Sequence, residues 1–367
     1  MNSMQRFVVI GLGTLPLALA ACSSPADAPA GSTESEIAAS RGAHTANYLI
    51  ADQFNNRVIE VDVHHNVVWR FGDGSSTASD TSIVAPNDAS RVGNLTLIAG
   101  TGAPAATPPV EPGCECGCAD NRVILVDHAG KIVWQYGTAG VTGAGQNQLN
   151  APVSAVYLPS QHVLVTDQGN GRVIEIDASK NIVWQYGTTG TSGAAANQLN
   201  NPNSAELLAN GNVLIADENN NRVIEVDRAK NVVWSYGDPS DTTKLNGAAF
   251  ASRLPNGNTL ISDANNNRIV EVNAGKSVVF TYVTSARTGS VAAPNPTRAV
   301  RLRNGHTLIS DQNNHQVIEI NPAGQIEFTQ GAIGVAGTGF NQLNAPYDAK
   351  VIGDFTGLTS PFPPARY

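Results

Sequence analysis

Charge is scarce in this chain. Only 14% of its 367 residues are Asp, Glu, Lys or Arg, and the formal net charge is −8. No basic cluster stands out against that acidic balance, so a nucleic-acid partner is not expected. Histidine numbers seven, cysteine four and methionine two. None of these is arranged as His-Glu-x-x-His, and neither Gly-x-Ser-x-Gly nor a phosphate-cradling glycine loop is present, which removes the usual marks of zinc proteases, serine hydrolases and nucleotide binders. The apolar stretch Phe7–Leu19 is too short for a permanent membrane span. What the chain has instead is 35 Gly and 20 Pro, the composition of a turn-rich all-β protein.

It also has a repeat, clearest at Gly211–Gly237, GNVLIADENNNRVIEVDRAKNVVWSYG. Asn212–Asp217, Arg222–Asp227 and Asn231–Tyr236 are apolar, β-branched and of period two, so each predicts a strand. Asp217–Asn221 and Arg228–Asn231 supply the Asn and Asp that tolerate left-handed backbone and close tight turns. A shorter apolar run opening on Pro-x-x-Ala, Pro202–Leu208, predicts a fourth strand. Four antiparallel strands per copy is the pattern of a propeller blade. Arg57, Arg122, Arg172, Arg222, Arg268 and Gln316 follow one another at 65, 50, 50, 46 and 48 residues. Trp69, Trp134, Trp184, Trp234, Phe280 and Phe328 repeat those five spacings. The expected fold is therefore all-β, a six-bladed β-propeller of four-stranded antiparallel blades spanning residues 44–354. Blade 1 has no Pro-x-x-Ala strand before it, whereas the chain ends with an orphan one, Pro346–Ile352. That strand should complete blade 1 and remove an exposed edge.

Residues 1–21 carry Arg6, the apolar core and a small-residue exit, an export signal. The exit Leu19-Ala20-Ala21-Cys22 resembles the lipobox of bacterial lipoproteins, which implies lipidation of Cys22, membrane attachment through its acyl chains and a place in the cell envelope. Ser23 and Ser24 resemble the sorting context for the outer membrane. The polar run 22–43 is a flexible tether, and 355–367 is a C-terminal tail.

In a propeller the Asp-x-x-Asn turns, the connectors between blades and the starts of the central strands share one end of the ring. The residue before the recurrent Ala of each central strand is Asp348, Asp88, Ser154, Ser204, Phe250 and Arg298 for blades 1 to 6. Blade 6 abuts blade 1, so Arg298, Asp348 and Asp88 should be neighbours at the mouth of the central channel, with Asn87, Asn203 and Tyr347 beside them. Two carboxylates next to a guanidinium suit a divalent cation, a polar ligand or a charged partner loop. They also suit an ion-paired, hydrated plug with a structural role. The repeated Asp52, Asp167, Asp217, Asp263 and Asp311 read as turn formers rather than metal ligands, with the following Arg paired between blades. Blade 2 has Gly100 in that place and a long insertion, Thr101–Ala119.

That insertion holds Cys114-Glu115-Cys116-Gly117-Cys118. Three thiols in five residues suit a soft metal, Zn or Cu(I). In an exported protein a Cys114–Cys118 disulfide is the alternative, leaving an odd thiol. His315 is the one histidine expected at the channel end, in a position where other blades have Asn, and reads as a turn residue.

The recurrent phrase carried by Ala205, Leu214–Asp217, Asn220–Val223, Val226-Asp227 and Tyr236-Gly237 resembles the NHL repeat, over about Asn47–Gly353. The Gly-Asn-x-Leu-Ile and Val-Val-Trp-x-Tyr-Gly phrases are similar to arylsulfotransferase-like and pyrroloquinoline-quinone-type propellers. The enzymes among such propellers imply histidines at the channel mouth, where this chain has Asp, Ser, Phe and Arg. Three functions follow. The first is a noncatalytic scaffold for a protein, peptide or glycan. The second is a metal-dependent lyase, hydrolase or sulfotransferase-like enzyme using Asp88 and Asp348, with Tyr347 as acid or base. The third is soft-metal binding through Cys114, Cys116 and Cys118.

Overall fold

The computed structural model describes residues 46–354. The export signal, Cys22, the whole of the tether and the 355–367 tail lie outside the described residues. Among the described residues the strands form six four-stranded antiparallel sheets. Blade 2 comprises Pro86–Val92, Leu95–Ala103, Cys118–Val126 and Ile132–Tyr136 in that order from the inside outward, and blades 3 to 6 repeat the arrangement. Blade 1 is built from both ends of the ring. Its inner strand is Pro346–Val351, paired with Tyr48–Asp52 from Tyr48 opposite Val351 to Asp52 opposite Pro346. The inner strands touch in sequence and the last meets the first, so the ring is closed.

Each blade is held at its inner end by one device. Asp217 Oδ1 accepts the N–H of Asn200, 2.8 Å away in the incoming connector, while Oδ2 accepts Asn220 Nδ2 and Arg222 Nε at 2.7 Å each. The single 3₁₀ turn Glu218–Asn220 then ends on Asn221 in the left-handed region, φ 50°. Asn takes that conformation at little cost, which is why the turn is written in Asn. Arg222 thus pairs within its own blade and reaches the carbonyls of Ala194 and Gln198 in the connector, not an acid of the next blade. The expected inter-blade pairing of this arginine is corrected accordingly: five residues along a tight turn bring Arg back over its own Asp.

Two blades vary the device. In blade 2 the carboxylate comes from Asp120, across the hairpin, bound to Arg122 Nε at 2.6 Å and to the N–H of Val84 at 2.7 Å. Gly100 makes this possible, because a Cβ there would stand 2.6 Å from Asp120 Cγ. In blade 6, Gln316 replaces Arg, and Arg287 from the connector supplies the guanidinium to Asp311.

The seams between blades are latched further out. Arg91 of blade 2 lies 4.8 Å from the Trp69 ring of blade 1 and binds Glu60. Arg228 with Trp184 and Glu175, Arg253 with Trp234 and Glu225, and Arg301 with Phe280 and Glu271 repeat this at later seams. Such stacking contributes about 0.5–2 kcal/mol per pair. At the closing seam Tyr48 stacks on Phe328 at 4.0 Å and donates to Glu319 at 2.7 Å. Blade 1 therefore depends on Pro346–Val351 inside and on Tyr48 outside.

Deleting the chain from Pro346 onward should leave Tyr48–Asp52 as a bare edge and open the ring. Circular dichroism melting is expected to show loss of the single cooperative transition, or insolubility; an unchanged melt would contradict closure.

Candidate functional site

The central strands of neighbouring blades converge on the axis without pairing to one another, which leaves N–H groups that need other acceptors. Side chains supply them. Asp348 Oδ2 accepts the N–H of Ala89 at 3.1 Å, Asp88 Oδ2 that of Ala155 at 2.9 Å, and Ser204 Oγ that of Ala251 at 3.2 Å. Each donor is the recurrent Ala of the following blade, or of its equivalent. The alternation of the strand that aims these residues inward is the one read from the sequence.

Arg298, Asp348 and Asp88 do meet, and they are deeply buried, at 1, 0 and 3% exposure. Arg298 Nε lies 3.4 Å from Asp348 and Nη2 lies 3.5 Å from Asp88, with the guanidinium 4.9 Å from the Phe250 ring. Between the two carboxylates stands a residue the sequence reading missed. Lys350 Nζ donates to Asp88 Oδ1 at 2.6 Å, to Asp348 Oδ2 and to the carbonyl of Ala89 at 2.9 Å. Its signal was available: two residues beyond Asp348 on the same strand, it faces the same way. The same step in blades 2 to 6 gives Ser90, Val156, Glu206, Ser252 and Val300.

This arrangement selects the plug among the readings of the group and corrects the expectation of a cation. The group is not an open mouth but a plug inside the ring, leaving a cavity for about one water molecule lined by Ser90, Ser154, Val156 and Phe250 with the charged groups. The place foreseen for a divalent cation between Asp88 and Asp348 is filled by an ammonium. Two acids and two bases face one another there, so each carboxylate has a cationic partner. Burial works against ionising Asp88, but Lys350 and then Arg298 outweigh it and hold this carboxyl below the usual range. Burial pushes Asp348 up against the pull of Lys350, with the Asp88 charge adding to the rise.

Above the plug lies a rim of amides. Gln53 Nε2 donates to Asn87 at 2.8 Å, Gln312 Nε2 to Gln53 at 2.7 Å, and Asn295 Nδ2 to Gln312 at 2.8 Å. Asn203 Nδ2 donates to both Tyr347 Oη and Glu218 Oε2 at 2.7 Å. Burial, reinforced by Glu218, drives the Tyr347 hydroxyl far above its ordinary range. Tyr347 thus keeps its proton and accepts a bond, which removes it as a base. Gln53, Glu218 and Gln312 were not foreseen; they are the residues directly after the repeated Asp, hidden inside a turn motif. His315 takes the role other blades give to Asn: its Nδ1 accepts the N–H of Ala345 at 3.0 Å. Burial lowers its pKa, in keeping with a neutral turn residue.

The insertion in blade 2 extends the hairpin by the pairs Gly102–Ala119 and Ala103–Cys118. Cys114 and Cys118 form a disulfide, and Cys116 is free and exposed. Of the two sequence readings the oxidised loop is the one present. The three sulfurs do not stand together as ligands in this state, because two are spent on each other. Cys114 packs with Val84, Ala85 and Ala103, and Phe54 of blade 1 leans on that cluster. Glu111 accepts from Asn56 of the blade 1 turn. The loop is therefore seated across the seam of blades 1 and 2, at the end where the connectors gather.

Glu206 is the remaining buried acid of the channel. Desolvation pushes it up to about 8, although the N–H of Arg253 at 2.9 Å opposes this.

The profile of the family described as outer membrane protein assembly factor BamB matches residues 119–337. No curated protein matches the chain. Among solved structures, a protein of unknown function from Bacteroides caccae is similar at 15% identity and TM-score 0.53, covering 78% of this chain and 93% of that one. Virginiamycin B lyase from Staphylococcus aureus is 10% identical, with TM-score 0.48 and coverage of 79% and 85%. BamB from Moraxella catarrhalis is 15% identical, with TM-score 0.39 and coverage of 78% and 75%. At these identities the likeness is one of fold.

Lys350→Met should leave two buried carboxylates facing Arg298 alone and cost about 3–5 kcal/mol in chemical denaturation; a loss under about 1 kcal/mol would contradict the plug. Glu206 contributes to the pH dependence. Its folded pKa lies above the ordinary 4.5, so its contribution is complete below about pH 4.5 and is lost as pH rises toward about 8, at about 1.4 kcal/mol per unit. Glu206→Gln is expected to flatten the decline in melting temperature between about pH 5 and 8. A variant whose decline matches that of the parent would refute the assignment.

Proposed function

The chain belongs to the family described as outer membrane protein assembly factor BamB, and from that premise we propose that it is a lipid-anchored envelope propeller acting as a noncatalytic scaffold for a protein, peptide or glycan. The observation that carries this reading is the pairing of charges within the channel. Asp88, Asp348, Arg298 and Lys350 neutralise one another out of solvent. A substrate or ion would have to displace Lys350 from two charge-assisted bonds, and such bonds are the strong ones. The reading as a metal-dependent lyase, hydrolase or sulfotransferase-like enzyme loses its named ligands in this way.

Recognition then falls to what differs between blades, and that is the loops. The seated insertion 104–118 is peculiar to blade 2 and presents Ala105, Pro112, Glu115 and Cys116 to solvent beside the amide rim. A rigid ring bearing a loop packed in one conformation binds without a large ordering cost. The rim of Asn and Gln offers neutral donors and acceptors suited to peptide amides or sugar hydroxyls. Attachment rests on Cys22, whose acyl chains would hold the ring to the membrane by burial of about 0.8 kcal/mol per methylene.

Two experiments test this reading. Cys22→Ser should move the protein from the membrane to the soluble fraction of cells; continued membrane partition would count against the anchor. A photoreactive residue at Ala105 or Glu115 should crosslink in intact cells to one defined partner, while the same residue at Ser160, at the far end of a blade, should not. Equal yields at the three positions would contradict recognition through the loop.

A further inference from the structure

We propose that the 104–118 loop is a redox-gated site for a soft monovalent metal ion, Cu(I), assembled from Cys114, Cys116 and Cys118 when the disulfide is reduced. The channel offers no comparable site, because its charged groups are already paired. In the oxidised loop no group of three His, Cys, Asp or Glu is placed for a metal among the described residues. Reduction changes the donor set without asking the backbone to move.

The backbone argument is independent of the disulfide. Cys114 N–H bonds the carbonyl of Glu111 at 3.1 Å, and Gly117 N–H bonds the carbonyl of Cys114 at 2.9 Å. These two successive turns curl the segment by themselves. Gly113 and Gly117 sit at φ 86° and 84°, and a Cβ on Gly117 would come within 3.1 Å of Ala103 O and Ala105 N. The curl holds the Cα atoms of Cys114 and Cys118 at 5.3 Å. Cys116 lies two residues from each, so its Cα is within about 7.6 Å of both. Metal–thiolate bonds of about 2.3 Å place three sulfurs around a trigonal ion about 4 Å apart. Side chains one bond longer than Ala span the difference.

The chemistry of the donors selects the ion. Thiolates prefer Cu(I) and Zn(II) to hard cations. A structural zinc site needs four ligands, and the loop supplies three sulfurs. Cu(I) is satisfied by three. Cys114 backs onto Val84, Ala85 and Ala103, a dry wall that shields one side of the ion. Cys116 is exposed and forms the open side by which an ion enters. The gating step balances in electrons and protons. A dithiol reductant delivers two electrons and two protons, the Cys114–Cys118 bond breaks to two thiols, and the reductant leaves as its own disulfide. Binding then releases the thiol protons to solvent.

The test uses the full chain carrying Cys22→Ser, so that the loop holds its only thiols. The protein is reduced with dithiothreitol, freed of reductant under anaerobic conditions and titrated against the Cu(I) complex of bicinchoninate. The reduced form is expected to withdraw about one equivalent of Cu(I), and the oxidised form none. Cys116→Ser, at an exposed position, should melt as the parent does and lose at least tenfold in affinity. Equal uptake by reduced and oxidised protein, or by the parent and Cys116→Ser, would overturn the site. Preferential uptake of Zn(II) from an equimolar mixture would overturn the assignment of the ion.

Discussion

Six inner strands converge on one axis and cannot pair with one another, and the rest of the structure answers that constraint. The backbone groups they leave open are met by side chains reaching across from the neighbouring blade: Asp348 to Ala89, Asp88 to Ala155, Ser204 to Ala251 and Glu206 to Arg253. Placing acids there creates buried charge. Lys350 and Arg298 answer that charge from the same set of strands. The polar centre of the ring is thus a consequence of propeller geometry before it is anything else, and an account of function that begins from its charges mistakes a structural solution for a binding site.

The same economy of parts appears further out. A carboxylate beside the turn between the second and third strands ties connector, turn and a guanidinium together in every blade, yet the source of each varies. Asp120 reaches across a hairpin into room left by Gly100, and Arg287 stands in for the arginine absent at Gln316. What is kept is the ion pair and its bonds to backbone, not the residue position. Three seams are latched by Arg on Trp with a Glu behind, the blade 5–6 seam by Arg301 on Phe280 and the closing seam by Tyr48 on Phe328; the seam between blades 2 and 3 differs. There Leu125 and Tyr157 make the contact apolar.

Period-two alternation and the spacing of Arg and Trp carried the fold, the blade count and the completion of blade 1 by Pro346–Val351, because these follow from local geometry. The first inward layer of the channel was legible for the same reason. Lys350 and Glu206 were not, because one inward residue per strand was followed where the pleat supplies two. The burial of Asp88 and Asp348 also escaped, since a sequence shows that residues converge but not how tightly six strands close. Cysteine spacing admitted both a disulfide and a metal, and pattern alone does not choose between oxidation states. Gln53 and Glu218 went unseen because turn-forming and rim-forming residues share one motif.

The central claim is that Lys350 and Asp348 serve the ring and each other. A double-mutant cycle in chemical denaturation, with Lys350→Met, Asp348→Asn and the pair, measures this most directly. The account predicts a coupling of about 2 kcal/mol or more, with the double variant more stable than Lys350→Met alone. Additive losses within about 0.5 kcal/mol would show that the two do not depend on one another. The channel would then again be open as a place for a ligand.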